Sequence, residues 1–166
     1  MKRAMILAGL SVVLAGTVVA PAAASAEERT CRGTIGARTV DNLRVPSRAT
    51  CTLLGTTVKG TVKVERGARL YATGIRVVGN VQAEGHRHVR VVSSRVGGSI
   101  QVKQGRSASI RRNRVTGDVQ SFSNRGWQTI ARNRINGNLQ CKSNVPAPRG
   151  WGNVVGGNKE DQCRRL

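Results

Sequence analysis

The chain has 166 residues, with 28 Lys and Arg against 8 Asp and Glu, and its formal net charge is +20 at pH 7. So positive a chain favours anionic partners, and so few carboxylates argue against a calcium site, which needs clustered Asp. With 2 Trp, 1 Tyr and 1 Phe, the sequence also argues against an extended aromatic platform for stacking sugars or bases. A genome biased toward GC-rich codons would raise the Arg content too, so the charge alone identifies no ligand.

The first 26 residues have the pattern of a secretory signal peptide. Lys2 and Arg3 give a positive start, an apolar run covers residues 4–20, and Ala24-Ser25-Ala26 fits a cleavage site of small residues. The apolar run is short for a membrane span, so we predict cleavage after Ala26 rather than a retained anchor. No later stretch is apolar enough to cross a bilayer. The sequence therefore predicts a secreted protein that is extracellular or associated with the cell wall.

One short pattern recurs along the rest of the chain at a near-constant step. An aliphatic residue stands two positions before a glycine, and in all but the last copy a second one stands two positions after it. The glycines lie 19 or 20 residues apart and are Gly60, Gly79, Gly98, Gly117, Gly137 and Gly157. A fixed step of this length predicts stacked structural turns, or rungs, rather than a closed globule.

The rungs have the periodicity of strands. Apolar residues form continuous columns at positions −7, −2 and +2 from the repeated glycine, and the residues after it alternate with a period of two. Twenty residues are too few for two packed helices with turns, and Gly and β-branched residues disfavour helix. We therefore predict an all-β, single-stranded parallel β-helix of six to seven rungs of 19–20 residues. Right-handed coiling is favoured, while a left-handed coil built from hexapeptides stays open.

The repeat divides the mature chain into three parts. Residues 27–50 break the period and are predicted to form an N-terminal cap, and residues 51–145 form the β-helix rungs. Residues 146–166 are predicted to form the last rung and a C-terminal cap. Caps are needed because the sheets of an open parallel coil have unpaired edges at both ends, and such edges can pair with further chains and cause polymerisation.

Two polar columns accompany the repeated glycine, and we interpret both as structural. The residue four positions before the glycine is asparagine in the last three rungs, which predicts an asparagine ladder toward the C-terminal end. This column reads Thr56, Ile75, Ser94, Asn113, Asn133 and Asn153. The residue after the glycine is polar in every rung, as a turn requires. That column reads Thr61, Asn80, Ser99, Asp118, Asn138 and Asn158.

Four cysteines lie in pairs at the two ends of the repeat. An even number in an exported chain predicts disulfides, for which four cysteines allow three pairings. Their positions favour Cys31–Cys51 and Cys141–Cys163. Zinc is the less favoured alternative because the spacings are not of the CxxC kind. We predict neither a metal nor a cofactor.

Two columns of arginine are the candidate polyanion-binding residues. Position −3 holds Arg76, Arg95, Arg114 and Arg134, and position +8 holds Arg87, Arg106 and Arg125. Like charges one rung apart repel, so such columns call for counterions, interleaved acceptors or an anionic ligand. A glutamine column at position +3 (Gln82, Gln101, Gln120 and Gln140) is expected to complete one regular polar, cationic surface. The alternative is that the arginines are solvated and stack on one another without a ligand.

Catalysis is not expected. Among the carboxylates only Glu65 and Glu84 share a column, and a separation of about 5 Å would suit a retaining glycosidase. The same column continues, however, as Lys103, Phe122 and Lys142.

The remaining candidate residues are given structural interpretations. His86 and His88 flank Arg87 and are predicted to lie in a solvated loop. Trp127 and Trp151 are predicted to be packing residues.

Several segments resemble one family. They are Asp41-Asn-Leu-Arg-Val-Pro46, residues 79–85, Asn138-Leu-Gln-Cys141-Lys-Ser-Asn with Pro146-Ala-Pro148, and residues 156–163. They resemble small secreted actinobacterial proteins with β-helix repeats, a family of unassigned function. The resemblance implies export, a β-helix and an envelope setting, and it implies no activity or cofactor. A more distant similarity is to bactofilins, cytosolic β-helix proteins that polymerise end to end.

The sequence as a whole predicts a secreted, non-catalytic, monomeric β-helix protein. It would bind an anionic cell-wall or extracellular polysaccharide through its arginine columns, and nucleic acid only non-specifically through phosphates. The alternative is a structural or self-assembling envelope protein without a specific ligand. An enzyme acting on glycans is the third hypothesis.

Overall fold

The computed structural model describes residues 27–166, so the predicted signal peptide lies outside the described residues. Over that range the chain forms 21 short β-strands and has no helix long and apolar enough to span a membrane. In chain order the strands are β1 Glu28–Thr30, β2 Thr34–Ile35, β3 Thr39–Val40, β4 Asn42–Val45, β5 Thr50–Leu54, β6 Thr57–Val58, β7 Val62–Val64, β8 Arg69–Thr73, β9 Arg76–Val77, β10 Val81–Glu84, β11 His88–Val92, β12 Arg95–Val96, β13 Ile100–Lys103, β14 Ser107–Arg111, β15 Arg114–Val115, β16 Val119–Phe122, β17 Gln128–Ala131, β18 Arg134–Ile135, β19 Leu139–Lys142, β20 Val154–Val155 and β21 Lys159–Asp161.

The strands wind into three parallel sheets. Sheet I has eight strands in the order β1-β4-β7-β10-β13-β16-β19-β21, sheet II has six from β2 to β17, and sheet III has seven from β3 to β20. Through the repeat, neighbours within a sheet are three strands apart in the chain, so each turn of the coil adds one strand to each sheet. The predicted parallel β-helix of six to seven rungs is confirmed, with about 7 turns.

The core is a stack of aliphatic side chains along the axis of the coil. The three predicted apolar columns point inward, and Val81, for example, lies in register between Val62 and Ile100 with all three fully buried. Each such side chain contributes about 1.5–3 kcal/mol by leaving water. Because every rung repeats the same inward positions, no rung has a complete core without its neighbours.

Disulfides close the core at its two ends. Cys31 pairs with Cys51 and Cys141 pairs with Cys163, with Cα–Cα distances of 5.5 and 5.1 Å. All four cysteines of the described chain are therefore bonded, in the predicted pairing. The segment predicted as the N-terminal cap, residues 27–50, supplies strands β1 to β4, which extend the three sheets.

A ladder of side-chain oxygens links the rungs at the corner between sheets III and I. The residue after each repeated glycine accepts a hydrogen bond from the backbone N–H of its equivalent in the next rung. Thus Asn80 Oδ1 accepts from Ser99, and Ser99 Oγ accepts from Asp118. The glycine is required because the preceding rung comes too close: a Cβ on Gly79 would lie 2.7 Å from the Gly60 carbonyl oxygen.

The predicted asparagine ladder runs along the corner between sheets II and III. Asn113, Asn133 and Asn153 are buried. Asn133 Oδ1 accepts the Asn113 N–H at 3.0 Å, and Asn153 Oδ1 accepts the Asn133 N–H at 3.1 Å. Each amide nitrogen also donates to a core carbonyl, as Asn133 Nδ2 does to Ile110 at 2.9 Å. The ladder thus satisfies backbone groups that the bend removes from the sheets.

The corner between sheets I and II carries a third ladder, which the sequence analysis missed. Asn124 Oδ1 accepts the Gly105 N–H at 2.9 Å, and Asn144 Oδ1 accepts the Asn124 N–H at 3.1 Å. Gln162 continues the series by accepting the Asn144 N–H. His86 occupies the same column on the N-terminal side of Gly105, so the column is mixed in residue type.

Replacing Asn133 by Ala should destabilise the coil strongly. The change leaves the buried Asn113 N–H without its acceptor and removes the bonds that Asn133 Nδ2 makes to Ile110 and Asn153, and a buried group left unpaired costs about 1–3 kcal/mol. We expect the free energy of unfolding in urea to fall by about 2–5 kcal/mol. Asn158→Ala is the control, because its side chain is exposed at the end of the coil and its loss should change stability by less than about 0.5 kcal/mol. Equal effects of the two changes would contradict the structural role of the ladder.

Candidate anion-binding surfaces

Four of the predicted arginines form a column on the outside of sheet III. Arg76, Arg95, Arg114 and Arg134 are the first residues of β9, β12, β15 and β18, and they pair in register across the sheet. All four are exposed. Adjacent rungs are about 4.8 Å apart, so the structure stacks these side chains at one-rung intervals.

The local sequence explains why these arginines face solvent. Each stands before a buried aliphatic residue, such as Val96 after Arg95 and Val115 after Arg114. Successive side chains of a strand point to opposite faces. Burial of the valine in the core therefore turns the arginine outward, and the repeat places it at the same point in every rung.

Two further arginines stand two residues before the last two members of this column, Arg114 and Arg134. Arg112 and Arg132 are exposed, and their φ angles are 55° and 56°. Each precedes a buried ladder asparagine. In each Arg-Asn-Arg triplet, therefore, both arginine side chains are exposed to solvent and the asparagine side chain points inward. Arg112 and Arg132 were not among the residues predicted to bind anions, although the repeated Arg-Asn-Arg triplet is a signal for them in the sequence.

The positive charge of these rungs has few internal partners. Over residues 27–166 there are three ion pairs, Arg44–Glu28, Arg44–Glu65 and Lys59–Asp41, all in the N-terminal half of the chain. None involves any of the seven predicted arginines. Between Glu84 and Glu160 the only carboxylate is Asp118, and its Oδ1 accepts the Asn138 N–H. The middle and C-terminal rungs therefore carry uncompensated cationic side chains.

The second predicted arginine column lies elsewhere on the coil. Arg87, Arg106 and Arg125 are exposed at the corner between sheets I and II. Their backbones are in register: the Arg106 N–H donates to the His86 carbonyl at 2.9 Å, and the Arg125 N–H donates to the Gly105 carbonyl at 2.8 Å. The expectation of one continuous cationic surface is wrong, because the bends separate this column from the one on sheet III.

The glutamine column lies on sheet I and bonds to itself. Gln101 Nε2 donates to Gln120 at 3.0 Å, Gln120 donates to Gln140 at 2.8 Å, and Gln140 donates to the Glu160 carboxylate at 2.8 Å. These bonds run along the coil axis and occupy the amide groups. The column therefore acts as a fourth ladder rather than as part of either arginine surface.

Glu65 is held as a hydrogen-bond acceptor. It accepts from Arg44 Nη1 at 3.2 Å and from the N–H and Oγ of Ser47 at 2.9 and 3.0 Å. The bond from Arg44 and those from Ser47 hold the pKa of Glu65 below its ordinary value. A carboxyl that stays ionised cannot supply the acid of a retaining pair, and both Glu65 oxygens already accept hydrogen bonds from Arg44 and Ser47.

His86 does not lie in a solvated loop, contrary to the sequence-based expectation. Its side chain is fully buried, and among residues 27–166 neither ring nitrogen has a hydrogen-bond partner at good distance and angle. The ring lies over Gly105, where any Cβ would collide with the imidazole. Burial lowers the pKa of His86 to about 4. His88 is half-buried, and its Nδ1 lies 2.8 Å from Ser107 Oγ.

The two tryptophans are not packing residues either. Trp127 and Trp151 are 56% and 55% exposed. The Arg149 guanidinium lies over the Trp127 ring, 4.4 Å from its centroid. Trp127 directly precedes the buried Gln128, and since successive side chains of a strand point to opposite faces, its ring turns outward.

Within residues 27–166 no three His, Cys, Asp or Glu side chains come together as a metal site. Comparison of the chain with protein-family models, with curated proteins and with solved structures finds no match. The functional proposal therefore depends on the geometry of the coil and on its charges.

Acid should weaken the fold through His86. Between pH 6.5 and about 4 the imidazole is neutral in the folded chain and protonated in the unfolded one. The unfolded state then binds more protons, so the free energy of unfolding falls as the pH drops through this range, by up to about 3 kcal/mol. Urea unfolding at several pH values measures this loss. In His86→Asn, which restores a ladder residue, the loss over the same range should largely disappear; an unchanged slope would contradict the assignment.

Proposed function

We propose that the protein is an exported, non-catalytic binding protein for anionic polymers. It contacts repeated phosphate or carboxylate groups through the arginine column of sheet III. The observation that carries this proposal is the stack of Arg76, Arg95, Arg114 and Arg134 on consecutive rungs, exposed and, within the described part of the chain, without carboxylate partners.

The chemistry of the guanidinium group supports this choice of ligand. Its planar fork binds carboxylate or phosphate through two parallel hydrogen bonds. Four stacked guanidinium groups repel one another, and an anionic chain lying along the column relieves that repulsion. Arg112 and Arg132 add positive charge beside Arg114 and Arg134. A polymer that engages several rungs also gains from multivalency, because each later contact forms at high effective concentration.

The rigidity of the coil supports binding as well. The column is fixed by in-register strand pairing, and Asn113 and Asn133 are bonded to the rungs on both sides of their own. A surface ordered before binding loses less conformational entropy when the ligand arrives. We place this function outside the cell, at the envelope or beyond it. The two disulfides and the signal-peptide pattern of residues 1–26 support that setting.

Removing the four charges of the sheet III column should weaken binding to its polymer. The variant replaces Arg76, Arg95, Arg114 and Arg134 with Gln. Co-sedimentation with purified cell-wall polymers across a salt series should show an affinity reduced by about tenfold or more and a flatter dependence on salt.

The matched control removes the same amount of charge from the ends of the coil. It replaces Arg32, Arg38, Arg164 and Arg165, which are exposed and make no ion pair with a side-chain carboxylate of residues 27–166. Affinity should change little in the control. An affinity unchanged in the sheet III variant, or reduced equally in both, would contradict the proposal.

A specific observation also favours a second candidate function, assembly of the coil end to end. Val145, Trp151 and Val154 are all exposed near the C-terminal edge, where β20 is the last strand of sheet III. Exposed apolar residues beside a sheet edge favour association.

Small-angle scattering over a range of protein concentrations separates the two candidates. The binding proposal expects a monomer whose scattering profile does not depend on concentration. Rods that lengthen with concentration, and that a Val154→Lys change abolishes, would favour assembly instead.

A further inference from the structure

A groove lies along the corner between sheets I and II and leads to an exposed tryptophan. Its volume is about 360 Å³, and its lining includes Arg69, Arg87, Arg106, Ser107, Arg125 and Trp127. It contains all three arginines of the second column. The groove is a shallow depression that combines positive charge with an aromatic ring, whereas the depression along the sheet III column is lined by Arg76, Arg95 and Arg114 without one.

The arginines of the groove are set at regular intervals. Backbone bonds fix Arg106 to the His86 carbonyl and Arg125 to the Gly105 carbonyl, so the side chains start one rung apart, about 4.8 Å. Over residues 27–166 none of these arginines pairs with a carboxylate. Their donors are available to anionic groups at a similar spacing.

Trp127 is held in place yet open to solvent. Its carbonyl accepts the Ala108 N–H at 3.1 Å, and the next residue, Gln128, is buried. The Arg149 guanidinium covers one face of the ring, while the side chain keeps 56% of its surface exposed. A tryptophan fixed in this way is a preformed surface for the apolar face of a sugar ring.

The groove also carries a polar pair suited to sugar hydroxyls. Ser107 Oγ lies 2.8 Å from His88 Nδ1, and both residues line the same depression. A hydroxyl and a half-buried imidazole can donate to and accept from neutral ligand groups. Charge, an aromatic face and neutral hydrogen-bonding groups thus occur together, which a simple inorganic polyanion would not require.

We propose that this groove binds an acidic oligosaccharide. A sugar ring packs on the open face of Trp127, and acidic groups along the chain pair with Arg125 and Arg106. The inference rests on the proposed function and assigns a substrate class to the second arginine column. A single-stranded nucleic acid fits less well, because successive bases need successive stacking rings, and Trp127 is the one Trp, Tyr or Phe in the lining of this groove.

Tryptophan fluorescence gives a direct readout of the groove. The chain has 2 Trp, so Trp151→Phe leaves Trp127 as the single reporter. Titration of this variant with oligogalacturonate should give a saturable change in fluorescence. A neutral oligosaccharide of equal length should give none. An equal response to both sugars, or no response to either, would overturn the proposal.

Substitutions then test which residues carry the binding. Trp127→Ala and Arg106→Gln with Arg125→Gln should each weaken oligogalacturonate binding about tenfold or more, measured by calorimetry. Trp151→Ala, equally exposed, should leave it unchanged. Circular dichroism confirms that each variant is folded.

Two further arms separate this inference from the proposed function. Arg114→Gln with Arg134→Gln should weaken polymer binding to sheet III and leave oligogalacturonate binding intact. If oligogalacturonate depends on Arg114 and Arg134 but not on Trp127, the groove assignment fails while the proposed function stands. If the groove binds the sugar and the sheet III variants change nothing, the proposed function fails alone. A single-stranded oligonucleotide that binds more tightly, with the same dependence on Trp127, would overturn the sugar assignment.

Discussion

The structure depends on hydrogen bonds that join each rung to the next at its corners. A strand pair satisfies its own backbone groups, but a bend does not, and a short coil has three bends in every turn. Here side-chain oxygens of one rung accept the backbone N–H groups of a neighbouring rung, as between Asn133 and Asn113. Such bonds form only if equivalent residues lie directly above one another. The step of 19 or 20 residues is therefore a consequence of corner hydrogen bonding as much as of the apolar core.

The same constraint organises the surface. Once the corners and the core fix the rungs in register, any outward position that keeps its residue type becomes a column with a spacing of about 4.8 Å. Arginine at position −3 thus becomes a line of charge on sheet III. Arg112 and Arg132 join it because the ladder asparagines beside them must turn inward. The bends also separate the columns, so a strongly basic chain presents two distinct surfaces: a line of arginines on sheet III, and a shallow groove that leads to Trp127.

Much of the fold could be predicted from the sequence because the rungs repeat. The glycine spacing and the aliphatic columns recur from rung to rung. The asparagine ladder follows from one column of its last three rungs, and the disulfides follow from the cysteine pairs at the two ends. The third ladder could not be found in this way, because His86, Gly105, Asn124 and Asn144 share a position but not a chemistry. Burial of His86 follows from the absence of a side chain at Gly105, a contact between rungs that a single repeat does not reveal. The exposure of Trp127 and Trp151 escaped prediction because tryptophan was assigned to packing by its residue type, although Trp127 directly precedes the buried Gln128.

Binding of an anionic polymer along the sheet III column can be observed one arginine at a time. NMR of the arginine Nε–Hε groups, recorded during titration with a purified cell-wall polymer, reports on each guanidinium separately. We expect the signals of Arg76, Arg95, Arg114 and Arg134 to shift together and saturate at one polymer concentration, while those of Arg32 and Arg165 stay in place. Small shifts of similar size at all of these arginines, without saturation, would show that the polymer binds only to diffuse positive charge, and the proposed binding along sheet III would be wrong.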